Sequence, residues 1–161
     1  MTEARLIVTG EAFVGRGHRS IDAVMDCLVG SARSRLDVAI YLFTSTDIVD
    51  KITRAVHRGV RVSLLVNDFD GQPGSVRQSL KRLMASFPSF SVYSFTGAKM
   101  GPLHAKVIIA DRERAIIGSA NFTVAAMNTN HEIGMYVEGR LAEEAAELLD
   151  SLITRSTSIP R

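Results

Sequence analysis

His104, Lys106, Asp111, Gly118, Ser119 and Asn121 are the residues of this chain whose types and spacing could do chemistry. They lie in the run LHAKVIIADRERAIIGSANFT, which spells H-x-K-x(4)-D-x(6)-G-S-x-N. Side chains alternate along a strand, so His104 and Lys106 share a face, and Ser119 and Asn121 share a face by the same rule. Asp111-Arg112-Glu113-Arg114 is a polar break suited to a turn between two strands. If the two faces coincide, one pocket holds an imidazole, an ammonium, a hydroxyl and an amide. No carboxylate belongs to that set, so its charge is uncancelled and it suits an anion, phosphate above all.

Those residues need a scaffold, and the flanking sequence describes one. Arg5–Thr9 reads as a short strand. His18–Arg33 reads as a helix with Ile21, Val24, Met25, Leu28 and Val29 at helical spacing. Leu36–Phe43 is a buried strand. Asp47–Arg58 is a second helix, with Thr46 as N-cap and Gly59 as a left-handed terminator. Val60–Val66 is β-branched and reads as a strand. A loop over Phe69–Gly74 leads to a helix at Ser75–Ala85 and a strand at Ser89–Phe95. The motif hairpin follows over Leu103–Asn121, then a helical turn at Val124–Met127, a strand at Glu132–Val137 and a helix at Leu141–Leu152. Ser156–Arg161 reads as a frayed end. Alternating strands and helices predict a layered α/β/α domain with a central mixed, largely parallel sheet flanked by helices.

Bulk composition narrows the class. Residues 1–161 fit one domain, with a core over about 5–153. Hydrophobic content of 46% with 22% charged residues is the balance of a soluble globular protein. A net charge of +2 gives only weak support for a nucleic-acid partner. The single cysteine, Cys27, can form no internal disulfide and reads as a small core residue. There is no Cys/His cluster with zinc spacing and no acidic cluster for catalytic metal ions, so no metal or cofactor is expected. No secretory signal and no apolar run long enough to cross a bilayer are visible, which places the chain in the cytoplasm.

The motif run resembles the signature of the phospholipase D superfamily, the HKD phosphodiesterases. Tyr41-Leu42-Phe43-Thr44-Ser45 is similar to the family's Y-x-F-T segment, Arg58-Gly59-Val60-Arg61-Val62 to its R-G-V-x-V segment, and Asn130-His131-Glu132 to its N-x-E segment. Order and spacing resemble the small single-motif members, the Nuc-type bacterial endonucleases. The resemblance spans roughly residues 5–153. It departs near Gly10-Glu11-Ala12-Phe13, where the family carries F-S-P.

The resemblance implies chemistry that uses two copies of the signature facing each other. This chain has one copy and no internal repeat. Two chains about a two-fold axis would supply the second, giving a homodimer with one composite active site. His104 of one subunit would attack phosphorus and His104 of the other would serve as acid and then base. The two Lys106 ammonium groups, with Ser119 and Asn121 as donors, would stabilise charge without metal. The family's glutamate sits against the motif histidine, which assigns Glu132 to orienting His104 and fixing its tautomer. Asp111 and Gly118 are expected to be structural.

Other readings of single residues stand beside these. His18, His57 and His131 read as surface residues, with His131 pointing away from the pocket if Glu132 points in. Tyr41 and Phe43 read as core. Arg77, Lys81, Arg82 and Lys99 form a candidate track for a polyanion, although a solvated helix face also explains them. The leading functional expectation is a metal-independent nuclease with no stable membrane association. The alternatives are a phospholipase or phosphatidyl transferase, for which Met84, Phe87, Phe90 and Met100 could form an apolar rim, and a non-catalytic nucleic-acid-binding module.

Overall fold

The computed structural model describes residues 3–97 and 101–161. Its elements are β1 (Ala4–Thr9), β2 (Arg19–Ser20), α1 (Ile21–Gly30), β3 (Arg35–Ile40), α2 (Thr46–His57), β4 (Arg61–Asn67), α3 (Gly74–Ser86), β5 (Phe90–Phe95), β6 (Lys106–Ala110), β7 (Arg114–Gly118), α4 (Val124–Asn128), β8 (Glu132–Glu138), α5 (Arg140–Ile153) and β9 (Thr157–Ser158). One sheet carries all the strands of the described residues, in the order β2-β1-β8-β7-β6-β3-β4-β5-β9. The sheet is mixed, as expected. Parallel pairing is confined to β1–β2 and β3–β4–β5. The other five pairings are antiparallel. The motif hairpin is the reason: β6, β7 and β8 follow one another through short turns, which only antiparallel strands allow.

Helix ends follow local chemistry. Ser20 caps α1 by accepting the Ala23 N–H, and Ser45, rather than Thr46, caps α2 by accepting the Ile48 N–H. Gly59 follows α2 with φ of 88°, the conformation that favours glycine there. The helical stripe of α1 buries Ile21, Val24, Met25, Leu28 and Val29. Cys27 lies off that stripe, so it is exposed rather than core, 3.4 Å from an Arg19 guanidinium nitrogen.

Two layers cover the sheet. On one side α1, α2 and α3 bury Met25, Ile52 and Leu80 against Val38, Leu64 and Ile108. On the other, α5 sets Ala142, Ala146 and Leu149 on Ala39, Leu65, Ile109, Ala115 and Val137. The small alanines allow α5 to approach closely. Asp150 ties it down by pairing with Arg35 and Arg112. Part of the α5 side of the sheet stays open. Leu6 and Ile117 both register with Met135 on the strand between them, and Ile133 lies two residues further along the same face. These four are between 37% and 54% exposed, and α5 itself turns Leu141 and Leu148 outward.

The chain end departs from the frayed expectation. β9 pairs with β5. The Arg161 guanidinium donates to the carbonyls of Met84, Phe87 and Pro88 at 2.7, 3.1 and 2.9 Å. Those carbonyls lie at and just beyond the end of α3, where helical partners run out. No helix among the described residues is long and apolar enough to cross a membrane.

Candidate active site

The motif residues sit at the two ends of the β6–β7 hairpin. At the turn, Asp111 and Arg112 have φ of 57° and 60°. Aspartate tolerates this left-handed conformation better than most residues. Its carboxylate then accepts the backbone N–H groups of Arg33, Ser34 and Arg35 at 2.8–3.2 Å and the Ser34 hydroxyl at 2.9 Å. It also pairs with Arg114 at 3.2 Å. Burial alone would raise its pKa, but these donors outweigh it and hold the carboxyl at about 2. Asp111 therefore fastens the hairpin turn to the segment that opens β3, a full strand length from the histidine.

Gly118 closes β7 opposite Gly134. A Cβ at Gly118 would lie 2.7 Å from the Gly134 Cα and 3.0 Å from the Ile133 carbonyl oxygen, so only glycine fits. The two glycines bring β7 and β8 together just where Ser119 and Glu132 must meet.

At the other end, His104 stands two residues before β6 and is exposed, while Lys106 opens the strand and is buried. The two do share a face. Lys106 Nζ lies 3.1 Å from His104 Nδ1 and donates to the His104 carbonyl at 2.8 Å. Tyr41 completes the cluster, with its ring 4.8 Å from the imidazole and 5.4 Å from the ammonium. Burial lowers the Lys106 pKa, and the nearby Glu132 charge opposes that shift. The ammonium is therefore lost at lower pH than that of an ordinary lysine.

Ser119, Asn121 and Glu132 join this end on different terms. The Ser119 hydroxyl donates to Glu132 Oε2 and accepts the Ile133 N–H at 3.2 Å. Asn130 Nδ2 donates to the other Glu132 oxygen at 3.3 Å. Within one chain, then, Glu132 holds Ser119 and Asn130, and the group against His104 Nδ1 is Lys106. Asn121 Oδ1 accepts the Leu42 N–H at 3.2 Å, tying the motif to the end of β3. Its amide nitrogen is left as a donor.

Three residues near the site have roles that strand alternation and composition did not reveal. Tyr41 is half-buried against His104 rather than core; the signal was its place in Y-x-F-T. Asn130 supports Glu132, and the N-x-E spacing pointed to it. His131 is exposed, as expected, yet its Nε2 accepts the Ala12 N–H at 3.1 Å and its ring meets Phe13 edge-on at 5.6 Å. Nothing local in the sequence links positions so far apart. Of the candidate apolar rim, Met84 and Phe90 are core and Phe87 is half-buried. Met100 lies outside the described residues, as does Lys99. Arg77, Lys81 and Arg82 line one open face of α3, a helix without an acidic residue. Among the described residues no His/Cys/Asp/Glu group is arranged to hold a metal.

Comparison with known proteins fits this geometry. Residues 25–155 match the family described as the cardiolipin synthase, PLD-like domain. A phospholipase D from Dictyostelium discoideum is 29% identical over 133 residues, which is 73% of this chain and 30% of that protein. The chain spans under a third of the length of the curated relatives it matches. Among solved structures, the phospholipase D family member Nuc from Salmonella typhimurium superposes with a TM-score of 0.81 at 21% identity, covering both chains in full. NucT from Helicobacter pylori gives 0.80 at 22% identity, over 99% of this chain and all of that one.

Proposed function

Because the chain belongs to the phospholipase D superfamily through its PLD-like domain, we propose that it is a phosphodiester hydrolase acting on nucleic acid from a homodimeric composite site. The observation that carries the chemistry is His104, an exposed residue held by the Tyr41 ring and, through Nδ1, the Lys106 ammonium. In the proposed reaction His104 Nε2 attacks phosphorus and the bond to the leaving oxygen breaks. His104 of the partner subunit protonates that oxygen. The same imidazole then takes a proton from water, whose oxygen attacks the phosphohistidine and frees His104. The products are an alcohol and a phosphate monoester, and Lys106 from each copy balances charge on the non-bridging oxygens. Glu132 acts by positioning: it fixes Ser119 and raises the affinity of Lys106 for its proton.

The second copy is inferred from the open side of the sheet. Leu6, Ile117, Ile133 and Met135, with Leu141 and Leu148 of α5, make an apolar surface larger than isolated exposed side chains would. An isologous contact there covers both copies at once. Nucleic acid is favoured over lipid because Met84 and Phe90, offered for an apolar rim, are spent in the core, whereas α3 carries Arg77, Lys81 and Arg82 with no acidic residue of its own, Arg77 reaching Asp70 at 3.5 Å. A panel of plasmid, single-stranded DNA, RNA, phosphatidylcholine vesicles and a chromogenic diester, run with chelator, tests the reading. The expected result is nucleic-acid and chromogenic-diester cleavage by the parent and none by His104→Ala. Cleavage of the lipid alone, or equal activity in the variant, refutes it.

A further inference from the structure

We propose that the turn from Glu11 to Val14 is the outer wall of the substrate channel on the β1 side, and that His131 is the positioning residue that holds it there. This rests on the hydrolase reading above and adds the part of the site that meets the substrate beyond the scissile diester.

Position comes from the sheet. Thr9 registers with Glu132 across β1 and β8, so the chain leaves β1 at Gly10 directly beside the site. Strand order places this segment on the far side of Glu132 from Tyr41 and His104.

Three contacts clamp it. Gly10 has φ of 117°, and a Cβ there would lie 2.7 Å from His131 Cδ2 and 2.9 Å from the Asn130 carbonyl oxygen. The backbone can pass that close only as glycine. The Ala12 N–H donates to His131 Nε2 at 3.1 Å, and Phe13 packs on the ring. Accepting that bond requires Nε2 without a proton, so His131 is the Nδ1–H tautomer.

Beyond this turn the chain runs back along the edge of β1: Arg19 registers with Ile7, and Gly17 lines a cleft with Arg5, Arg114 and Glu138 towards the other end of the strand. At the exit of the turn Val14 is 80% exposed. At its foot the Thr9 hydroxyl is buried with no hydrogen-bond partner among the described residues. Its register with Glu132 makes it an unspent polar group beside the site.

A turn clamped this firmly beside Glu132 suits a fixed surface that a substrate longer than the scissile diester must pass. A small diester filling only the His104–Lys106 end does not reach it; an oligonucleotide running across the sheet edge does.

Three variants test this. His131→Phe keeps a ring against Phe13 but removes the acceptor, His131→Gln restores an acceptor, and Phe13→Ala removes the edge contact alone. Steady-state kinetics are read on a DNA oligonucleotide and on bis(4-nitrophenyl) phosphate. His131→Phe and Phe13→Ala are expected to raise KM for the oligonucleotide by about 5- to 10-fold, the equivalent of one lost interaction. The small diester should show no matching change, and His131→Gln should recover most of the loss. Equal kcat losses on both substrates, or an indifferent His131→Phe, overturn the wall while leaving the hydrolase reading intact. A parent protein inactive on both substrates overturns the hydrolase reading instead.

Discussion

Asp111→Asn isolates the anchor of the motif hairpin. Asparagine tolerates the left-handed backbone at this position nearly as well as aspartate, so conformational strain is kept out of the comparison. Its carbonyl oxygen can still face Ser34 and Arg35. Its amide nitrogen then faces the Arg33 N–H and the Arg114 guanidinium, donor against donor, where Oδ2 now accepts at 3.1 and 3.2 Å. A carboxyl that titrates at about 2 instead of the ordinary 3.8 stabilises the fold by about 2 kcal/mol at neutral pH. For a chain of this size that corresponds to a Tm lower by roughly 4–8 °C. The sign with pH follows from the depressed value. The carboxylate's contribution is complete above the unfolded pKa, near pH 4, and disappears as pH falls through about 2. Urea denaturation of parent and variant at intervals from pH 7 to pH 2 should therefore show a gap that is constant above pH 5 and closes at the acid end. A gap independent of pH, or none at pH 7, refutes the account of Asp111 as a charged anchor.

Met135→Asp places a charge on the open sheet face. It should dissociate the proposed dimer and abolish turnover with little change in monomer stability, read by light scattering and assay together; an active dimer contradicts the interface. Mixing parent with an equal amount of exchanged His104→Ala leaves about one dimer in four with both histidines of its single site, so activity at constant total protein should fall to about a quarter. A fall to half means that each chain works alone. Gly118→Ala must push β7 from β8 and should cost roughly 1–3 kcal/mol by denaturation. Its kcat should fall even when fully folded, because Ser119 and Glu132 move with the strands; unchanged kcat would separate Gly118 from the site.

The sequence made the hairpin legible because strand alternation, a polar break and fixed spacing act within a few residues of one another. His104 beside Lys106, and an Asp111 carboxylate bonding backbone near a turn, follow from that local geometry. What stayed hidden depends on which segments become neighbours. Cys27 was read as core from its apolar surroundings, although it lies off the stripe that α1 buries. Ser156–Arg161 looked like a frayed end because its partners, β5 and the last carbonyls of α3, lie far away in the chain. Glu132 was assigned to His104, whereas in one chain it serves Ser119 and Asn130, a pairing set by the Gly118–Gly134 approach. The sheet was expected to be largely parallel because helices and strands alternate through its first half; the hairpin and β8 reverse that balance.

The contact between Lys106 and His104 carries a consequence for proton accounting. An ammonium donating to Nδ1 occupies the nitrogen that must carry a hydrogen in both working rings: the attacking ring needs Nδ1–H with a bare Nε2, and the ring that protonates the departing oxygen needs hydrogens on both nitrogens. That contact therefore has to give way during turnover. A two-fold axis makes the rings equivalent, whereas a turnover demands that they differ. The pair must therefore share an unequal inventory, one hydrogen fewer on one side, with either chain able to take either part.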